Sequence, residues 1–141
     1  MFKGINWVAV IVAVVLLEVL GYLWYAVLFM KPWTDAISAY GHAPSGGNMA
    51  VTQSLGIVNT LIIVLGLAWL TRRLGATSLA ASLSVALAAW FCFNFTTQTL
   101  EYLYMEMPPV FVGINMGYQI VAYLLTGAVL ALVKVGAPKT A

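Results

Sequence analysis

One carboxylate, Glu18, lies midway along a hydrophobic segment that is long enough to cross a bilayer. A charged side chain at that depth costs at least ~3 kcal/mol on insertion scales, so we expect it to face protein or water and to have a partner. Gly21, Tyr22 and Tyr25 share its helical face, and the two phenols can donate hydrogen bonds to a carboxylate. Gly21 lets a neighbouring backbone approach closely. Two interpretations stay open for Glu18: it binds a small ligand, a cation or a proton, or it is a neutral structural residue satisfied by hydrogen bonds.

Amides and a second carboxylate recur on the other hydrophobic segments. The candidate ligand-binding residues at membrane depth, besides Glu18 and its two tyrosines, are Asn59, Asn94, Gln98, Glu101, Asn115 and Gln119. Asn94, Gln98 and Glu101 share one helical face, because they are spaced by four and three residues. An outward-opening, water-filled cleft centred on Glu18 would let all these groups meet. The alternative for the asparagines is structural, since amides hydrogen-bond between helices for about 0.6 kcal/mol per interaction.

The composition requires a membrane protein. Of the 141 residues, 63% are hydrophobic and 7% are charged, whereas roughly 25% of the residues of a soluble domain are charged. No basic cluster indicates nucleic acid as a partner. The single cysteine, Cys92, excludes a disulfide within one chain. Lys3 precedes an apolar run as in a signal peptide, but residues 5–30 exceed the roughly 7–15 apolar residues of a signal, so a retained spanning helix is predicted.

Hydrophobic periodicity predicts four spanning helices, at about 5–30, 51–70, 78–103 and 110–133, in a single domain over residues 1–141. The predicted fold class is therefore all-α, an integral membrane four-helix bundle. Pro32 is typical of a helix start and Gly41 of a helix end, so a short interfacial helix is expected after the first span. The short link at 71–77 forces the second and third spans into an antiparallel pair.

Small residues indicate where helices pack closely. Gly113 and Gly117 form a GxxxG pattern on the fourth helix, which favours close packing within the chain or between copies. Ser78, Ser82 and Ala86 are spaced by four residues on the third helix. This spacing predicts that the third helix is the most enclosed of the four.

The distribution of basic residues predicts the orientation. In a four-span arrangement Lys31 alone falls on one side, and the other side holds Lys3, Arg72, Arg73, Lys134 and Lys139. Positively charged residues accumulate on the cytoplasmic side of membrane proteins. Both termini are therefore predicted to be cytoplasmic.

The first and last thirds of the chain resemble a bacterial family of small four-helix membrane proteins known as domain of unknown function seventeen-sixty-one. The residues that carry the resemblance are Asn6-Trp7, Gly21, Leu23-Trp24-Tyr25, Leu28-Phe29, Lys31-Pro32-Trp33, Ile114-Asn115-Met116-Gly117-Tyr118-Gln119 and the run from Gly127 to Leu132. The resemblance implies the four-helix fold and a multi-pass protein of the bacterial inner membrane. It also implies a helix break after Trp24-Tyr25, where this chain has Ala26-Val27 instead of the family's small residue or proline. It supplies no activity to carry over.

Neither a metal site nor a nucleophilic enzyme is predicted. The residues that could be gathered into a mixed metal site are Asp35, His42, Glu101, Met105, Glu106 and Met107. They lack the close spacing of an HExxH or EF-hand motif, and the chain has no GxSxG motif. We therefore expect no metal and no cofactor.

Three functions stay open on the sequence alone. The leading hypothesis is a small inner-membrane protein that binds or conducts a small ligand, cation or proton through the cleft centred on Glu18, with membrane lipid around it. Four helices enclose little volume, so conduction favours a homo-oligomer, with a dimer preferred. The alternative is a non-catalytic interaction or accessory protein. The third hypothesis is an enzyme that modifies a lipid, with Glu18 or Glu101 as general base.

Overall fold

The computed structural model describes residues 4–41 and 48–134, and these residues form helices and no strand. Four helices are long and apolar enough to span a membrane, which confirms the predicted fold class. We call them spans 1 to 4: Trp7–Leu28, Met49–Arg73, Leu79–Tyr104 and Pro109–Leu132. A shorter helix, Met30–Ala39, joins spans 1 and 2 and is called the connecting helix. It occupies the place predicted for the short helix after the first span.

The helix starts are explained by local capping. The Asn6 side chain accepts a hydrogen bond from the Ala9 N–H at 3.1 Å, and the Ser78 hydroxyl accepts one from the Ala81 N–H at 3.1 Å. Asn48 caps span 2 in the same way, and Pro109 stands in the first turn of span 4. These residues satisfy or remove the free N–H groups that every helix start presents.

The spans alternate in direction, so the charged residues fall at two ends. At one end the Arg72 guanidinium donates to the Gly4 carbonyl, and the Asn6 amide donates to the Val133 carbonyl at 2.7 Å. We call this the basic end. The other end holds Lys31, Asp35, Glu101 and Glu106 and is called the acidic end. Lys3 and Lys139, which also support the predicted orientation, lie outside the described residues.

Spans 1 and 3 each contain a six-residue π-helical turn. The turn in span 1 is Leu23–Leu28 and the turn in span 3 is Trp90–Phe95. After the first turn, Phe29 leaves helical geometry with φ −119° and ψ 15°, and the connecting helix begins. The helix break implied by the family resemblance is therefore present, although it lies at Phe29 and is made without proline. Such π turns often mark functional positions.

The half of the bundle nearer the basic end has a dry, tightly packed interior. Val10 and Ala13 of span 1 and Val64 of span 2 are fully buried in one hydrophobic cluster. Ala68 and Val129 extend the same cluster to spans 2 and 4. Spans 1, 2 and 4 therefore meet through apolar side chains in this half of the bundle.

Spans 3 and 4 cross closely at Gly127. The buried Ser82 hydroxyl donates to the Gly127 carbonyl at 2.7 Å. A Cβ atom on Gly127 would lie 2.9 Å from the Ala86 Cβ and 3.1 Å from the Ser82 carbonyl oxygen. Within the predicted GxxxG pattern, Gly117 lies against the Trp24 ring of span 1, while Gly113 has open space around it. Gly127, rather than the GxxxG pair, therefore sets the tightest contact between spans.

The first half of span 2 stands apart from the bundle. Every residue from Met49 to Asn59 is exposed, and no other exposed run in the described part of the chain is as long. Buried residues of span 2 begin at Val64 and continue to Thr71. Span 2 is thus held by its half nearer the basic end, and its other half is exposed on the surface of the described chain.

The crossing at Gly127 yields a stability prediction. We expect Gly127→Val to lower the unfolding free energy by about 1–3 kcal/mol, because the added methyl groups overlap Ala86 and Ser82. Gly113→Val is the matched control. It changes helix propensity by the same amount, but an added Cβ atom at Gly113 has no neighbouring atom within 4 Å. Thermal unfolding in detergent micelles measures both variants. Equal melting temperatures for the two would contradict the predicted crossing.

Candidate functional site

A cavity of about 150 Å³ lies between the four spans, near their midpoints. Its lining residues are Leu17, Asn59, Thr60, Ile63, Asn94, Gln98, Tyr118, Gln119, Ala122, Tyr123 and Thr126. None of these residues is charged, and most of them carry an amide or a hydroxyl group. We call this space the amide cavity.

Two amide oxygens in the lining are buried and have no hydrogen-bond partner. They are Asn94 Oδ1 and Gln119 Oε1. The neighbouring groups interact with both side chains in other ways: Gln119 Nε2 donates to Gln98 Oε1 at 2.7 Å, and the Asn94 side chain interacts with the Tyr123 hydroxyl. A third buried atom without a partner, Trp90 Nε1, lies outside the cavity lining. Two residues of the cavity lining therefore carry amide oxygens that lack donors.

The missing donors carry an energetic consequence. A buried polar atom left without a hydrogen bond costs about 1–3 kcal/mol, and in the bilayer interior no bulk water relieves that cost. Both oxygens accept hydrogen bonds and cannot donate them. Within the described part of the chain, the two oxygens are therefore hydrogen-bond acceptors without a donor.

A hydrogen-bonded network covers the cavity on the side of the acidic end. The Tyr102 hydroxyl donates to Gln98 Oε1 at 2.9 Å and also interacts with the Asn115 side chain. Asn115 Oδ1 accepts from the Tyr25 hydroxyl at 3.0 Å and from Trp33 Nε1 at 3.3 Å. The network thus runs from the connecting helix to the cavity wall.

Aromatic rings fill the space around this network. Tyr25 lies 5.2 Å from Tyr118 between ring centroids, and Phe111 lies 6.3 Å from Trp33 and 6.0 Å from Tyr102. Trp24 Nε1 donates to the Ile114 carbonyl at 3.0 Å, which ties span 1 to span 4. These contacts fix the acidic end of spans 1 and 4 as one packed unit.

Glu18 lies beside the cavity rather than in its lining. It is partly buried and within electrostatic range of the Tyr118 hydroxyl, which donates to the Leu17 carbonyl at 3.5 Å. No side chain of the described residues donates a hydrogen bond to its carboxylate. Tyr22 is 67% exposed, and Tyr25 donates to Asn115 instead.

The rotation of span 1 explains the position of Glu18. Successive residues of an α-helix are rotated by about 100° around its axis, so the side chains of two neighbouring residues point in different directions. Leu17 is buried and lines the cavity, and Gly21 lies against the Tyr118 hydroxyl. The face of span 1 that meets the bundle therefore runs through Leu17 and Gly21, and Glu18 stands at its edge.

The structure brings together several of the other predicted site residues. Asn59, Asn94, Gln98 and Gln119 line one cavity, and Asn115 belongs to the network above it. Glu101 is exposed at the acidic end and reaches neither.

Sequence reasoning did not include Tyr118 and Tyr123 among the candidate site residues. The available signal was spacing, because Tyr123 follows Gln119 by four residues and shares its helical face. Spacing on span 4 could not identify Tyr118 in this way, because Tyr118 lines the cavity through its contact with Leu17 of span 1.

No metal centre is formed by the described residues. Within residues 4–41 and 48–134, no group of three or more His, Cys, Asp or Glu side chains could hold an ion. His42 lies outside the described residues. Asp35 is paired with Lys31 at 2.6 Å on the exposed surface of the connecting helix.

Comparison with known proteins identifies the family. Among curated proteins and among solved structures, none matches this chain. A family model described as a protein of unknown function (DUF1761) matches residues 8–131, which include nearly all of the four spans and the whole amide cavity. This match confirms the resemblance found in the tryptophan-tyrosine segment and in the fourth helix. This chain, with its four membrane-spanning helices, therefore belongs to the DUF1761 family.

Proposed function

We propose that this protein binds a small, uncharged molecule with hydrogen-bond donors in the amide cavity. The observation that carries the proposal is the pair of buried oxygens, Asn94 Oδ1 and Gln119 Oε1, that have no donor. A ligand with O–H or N–H groups would satisfy both and would replace water that is hard to hold at this depth.

The chemistry of the lining favours an uncharged ligand. The cavity is lined by amides and hydroxyls, and no lining side chain carries a charge. An ion moved to this depth would lose its hydration without meeting an opposite charge, which is strongly unfavourable. Glu18 could provide such a charge only from outside the lining. The proposed site is therefore centred on Asn94 and Gln119 rather than on Glu18.

Binding is favoured over conduction by a single chain. Below the cavity, towards the basic end, Val10, Ala13 and Val64 are fully buried and in one cluster. A solute that crossed the membrane through one chain would have to separate these side chains. The proposed site is consequently a cavity with one closed end.

The other two functions receive less support. The enzyme hypothesis needs a carboxylate at the ligand, and neither Glu18 nor Glu101 lines the cavity. The accessory or oligomeric role stays a prediction, since the exposed half of span 2 is compatible with lipid as well as with a second copy.

The proposed site can be tested with a matched pair of small solutes. Ethylene glycol has two hydroxyl donors, whereas its dimethyl ether, 1,2-dimethoxyethane, has a similar backbone and only acceptors. We expect the glycol, and not the ether, to shift the side-chain amide NMR signals of Asn94 and Gln119 in detergent micelles. The physical reason is that only the glycol satisfies the two free oxygens.

Two substitutions and a control complete this experiment. Gln119→Met and Asn94→Leu remove the acceptors at nearly constant volume, so each is expected to weaken glycol binding about tenfold. Gln53→Met makes the same chemical change at an exposed position on span 2 and is expected to leave binding unchanged. If the ether shifted the signals as strongly as the glycol, the proposed donor requirement would be wrong.

A second prediction separates the amide cavity from Glu18. We expect Glu18→Gln to change the apparent dissociation constant for ethylene glycol by less than about threefold, because Glu18 does not line the cavity. The same NMR titration measures this value, and the melting temperature of the variant reports whether it is folded. Loss of glycol binding in a folded Glu18→Gln variant would show that Glu18 is part of the binding site, and the proposed position of the site would be wrong.

A further inference from the structure

We infer that the ligand is a lipid-soluble phenol or resorcinol-type compound, which is an uncharged aromatic ring with hydroxyl groups and an alkyl tail, and that it enters the amide cavity sideways from the bilayer. The inference rests on the proposed function and adds the ligand's chemical class and its route. It is carried by the position of the cavity mouth, the closure of the other routes, and the size and lining of the cavity.

The mouth of the cavity lies beside the exposed half of span 2. Asn59 and Thr60 belong to the lining, and every residue of span 2 before them, from Met49 onward, is exposed. At 1.5 Å per residue, Asn59 lies about 15 Å along the helix from Met49, which is near the middle of a bilayer about 30 Å thick. On this side the exposed Asn59 is the lining residue that reaches the surface of the described chain, at a depth where a single chain would meet hydrocarbon.

The routes along the bundle axis are closed by packed side chains. Towards the acidic end, Tyr102 and Asn115 join Gln98 to the connecting helix through consecutive hydrogen bonds and contacts. Towards the basic end, Val10 and Val64 are fully buried. A ligand that reaches the cavity without breaking either layer comes from the bilayer and must dissolve in it.

The size and the lining of the cavity fit one aromatic ring. A cavity of about 150 Å³ is large enough to hold a molecule of the size of benzene. The rings of Tyr118 and Tyr123 form part of the wall and can pack against an aromatic ring. Two oxygens of the lining residues, Asn94 Oδ1 and Gln119 Oε1, lack donors, and a ring with two hydroxyl groups would supply two.

The surroundings of the mouth suit an alkyl tail. Leu55, Val58 and Ile62 of span 2 are all more than half exposed. A tail that stays outside the cavity would lie in hydrocarbon beside such side chains, so it needs no room inside. A charged head is excluded by the same setting, because no cation lines the cavity.

The test uses 5-decylresorcinol and its dimethyl ether, which share ring and tail but differ in hydroxyl donors. We expect the resorcinol to raise the melting temperature of the wild-type protein in detergent micelles in a concentration-dependent manner, and the ether to leave it unchanged. Gln119→Met and Asn94→Leu are expected to weaken resorcinol binding about tenfold each, whereas Gln53→Met keeps the wild-type response. Equal stabilisation by the ether, or an undiminished response in both cavity variants, would overturn the ligand class.

The route is tested with the same compound carrying a photoreactive diazirine on its tail. In lipid nanodiscs we expect the crosslink on the half of span 2 from Met49 to Ile62, and a crosslink on the connecting helix would overturn lateral entry. The ethylene glycol titration distinguishes a failure of the ligand class from a failure of the proposed binding site. If glycol binds at Asn94 and Gln119 but the resorcinol does not, the ligand class is wrong and the proposed site stands. If neither binds, both are wrong.

Discussion

The absence of water in the bilayer interior is the constraint on which the rest of this structure depends. Every amide and hydroxyl at membrane depth must find its partner within the protein or in a ligand. The chain meets this requirement between Trp33, Asn115, Tyr102 and Gln98 by one connected network. Asn94 Oδ1 and Gln119 Oε1 do not meet this requirement: both are buried without a hydrogen-bond partner, and both belong to residues that line the cavity. The same rule therefore accounts for the hydrogen-bonded network at the acidic end and underlies the binding site that we propose below it.

The two halves of the bundle differ in what holds them together. Near the basic end, close contact at Gly127 and full burial of Val10 and Val64 depend on small and apolar residues. In the other half, aromatic and amide side chains join spans 1 and 4, while span 2 stands apart from Met49 to Asn59. A sealed half below an open half gives a cavity with a single side for entry. This arrangement suits the capture of a molecule from the membrane better than its passage through one chain.

Sequence patterns predicted the elements and most of the polar cavity, but not its centre. Hydropathy, with Pro32 and Gly41, predicted four spans and a connecting helix, because length and composition decide which segments cross a bilayer. Asn94 and Gln119 were predicted because amides at membrane depth are few. Helical periodicity shows which residues share a face, but it does not show which face meets the bundle. Leu17, rather than Glu18, lines the cavity for that reason.

If the two free amide oxygens hold a donor in the middle of the membrane, that donor will be visible in an experimental density map of the full chain in lipid nanodiscs, at a resolution that resolves ordered water. We expect non-protein density within hydrogen-bonding distance of both Asn94 Oδ1 and Gln119 Oε1, and none among Val10, Ala13 and Val64. A collapsed cavity in which Asn94 and Gln119 hydrogen-bond to protein groups through those oxygens would contradict this expectation.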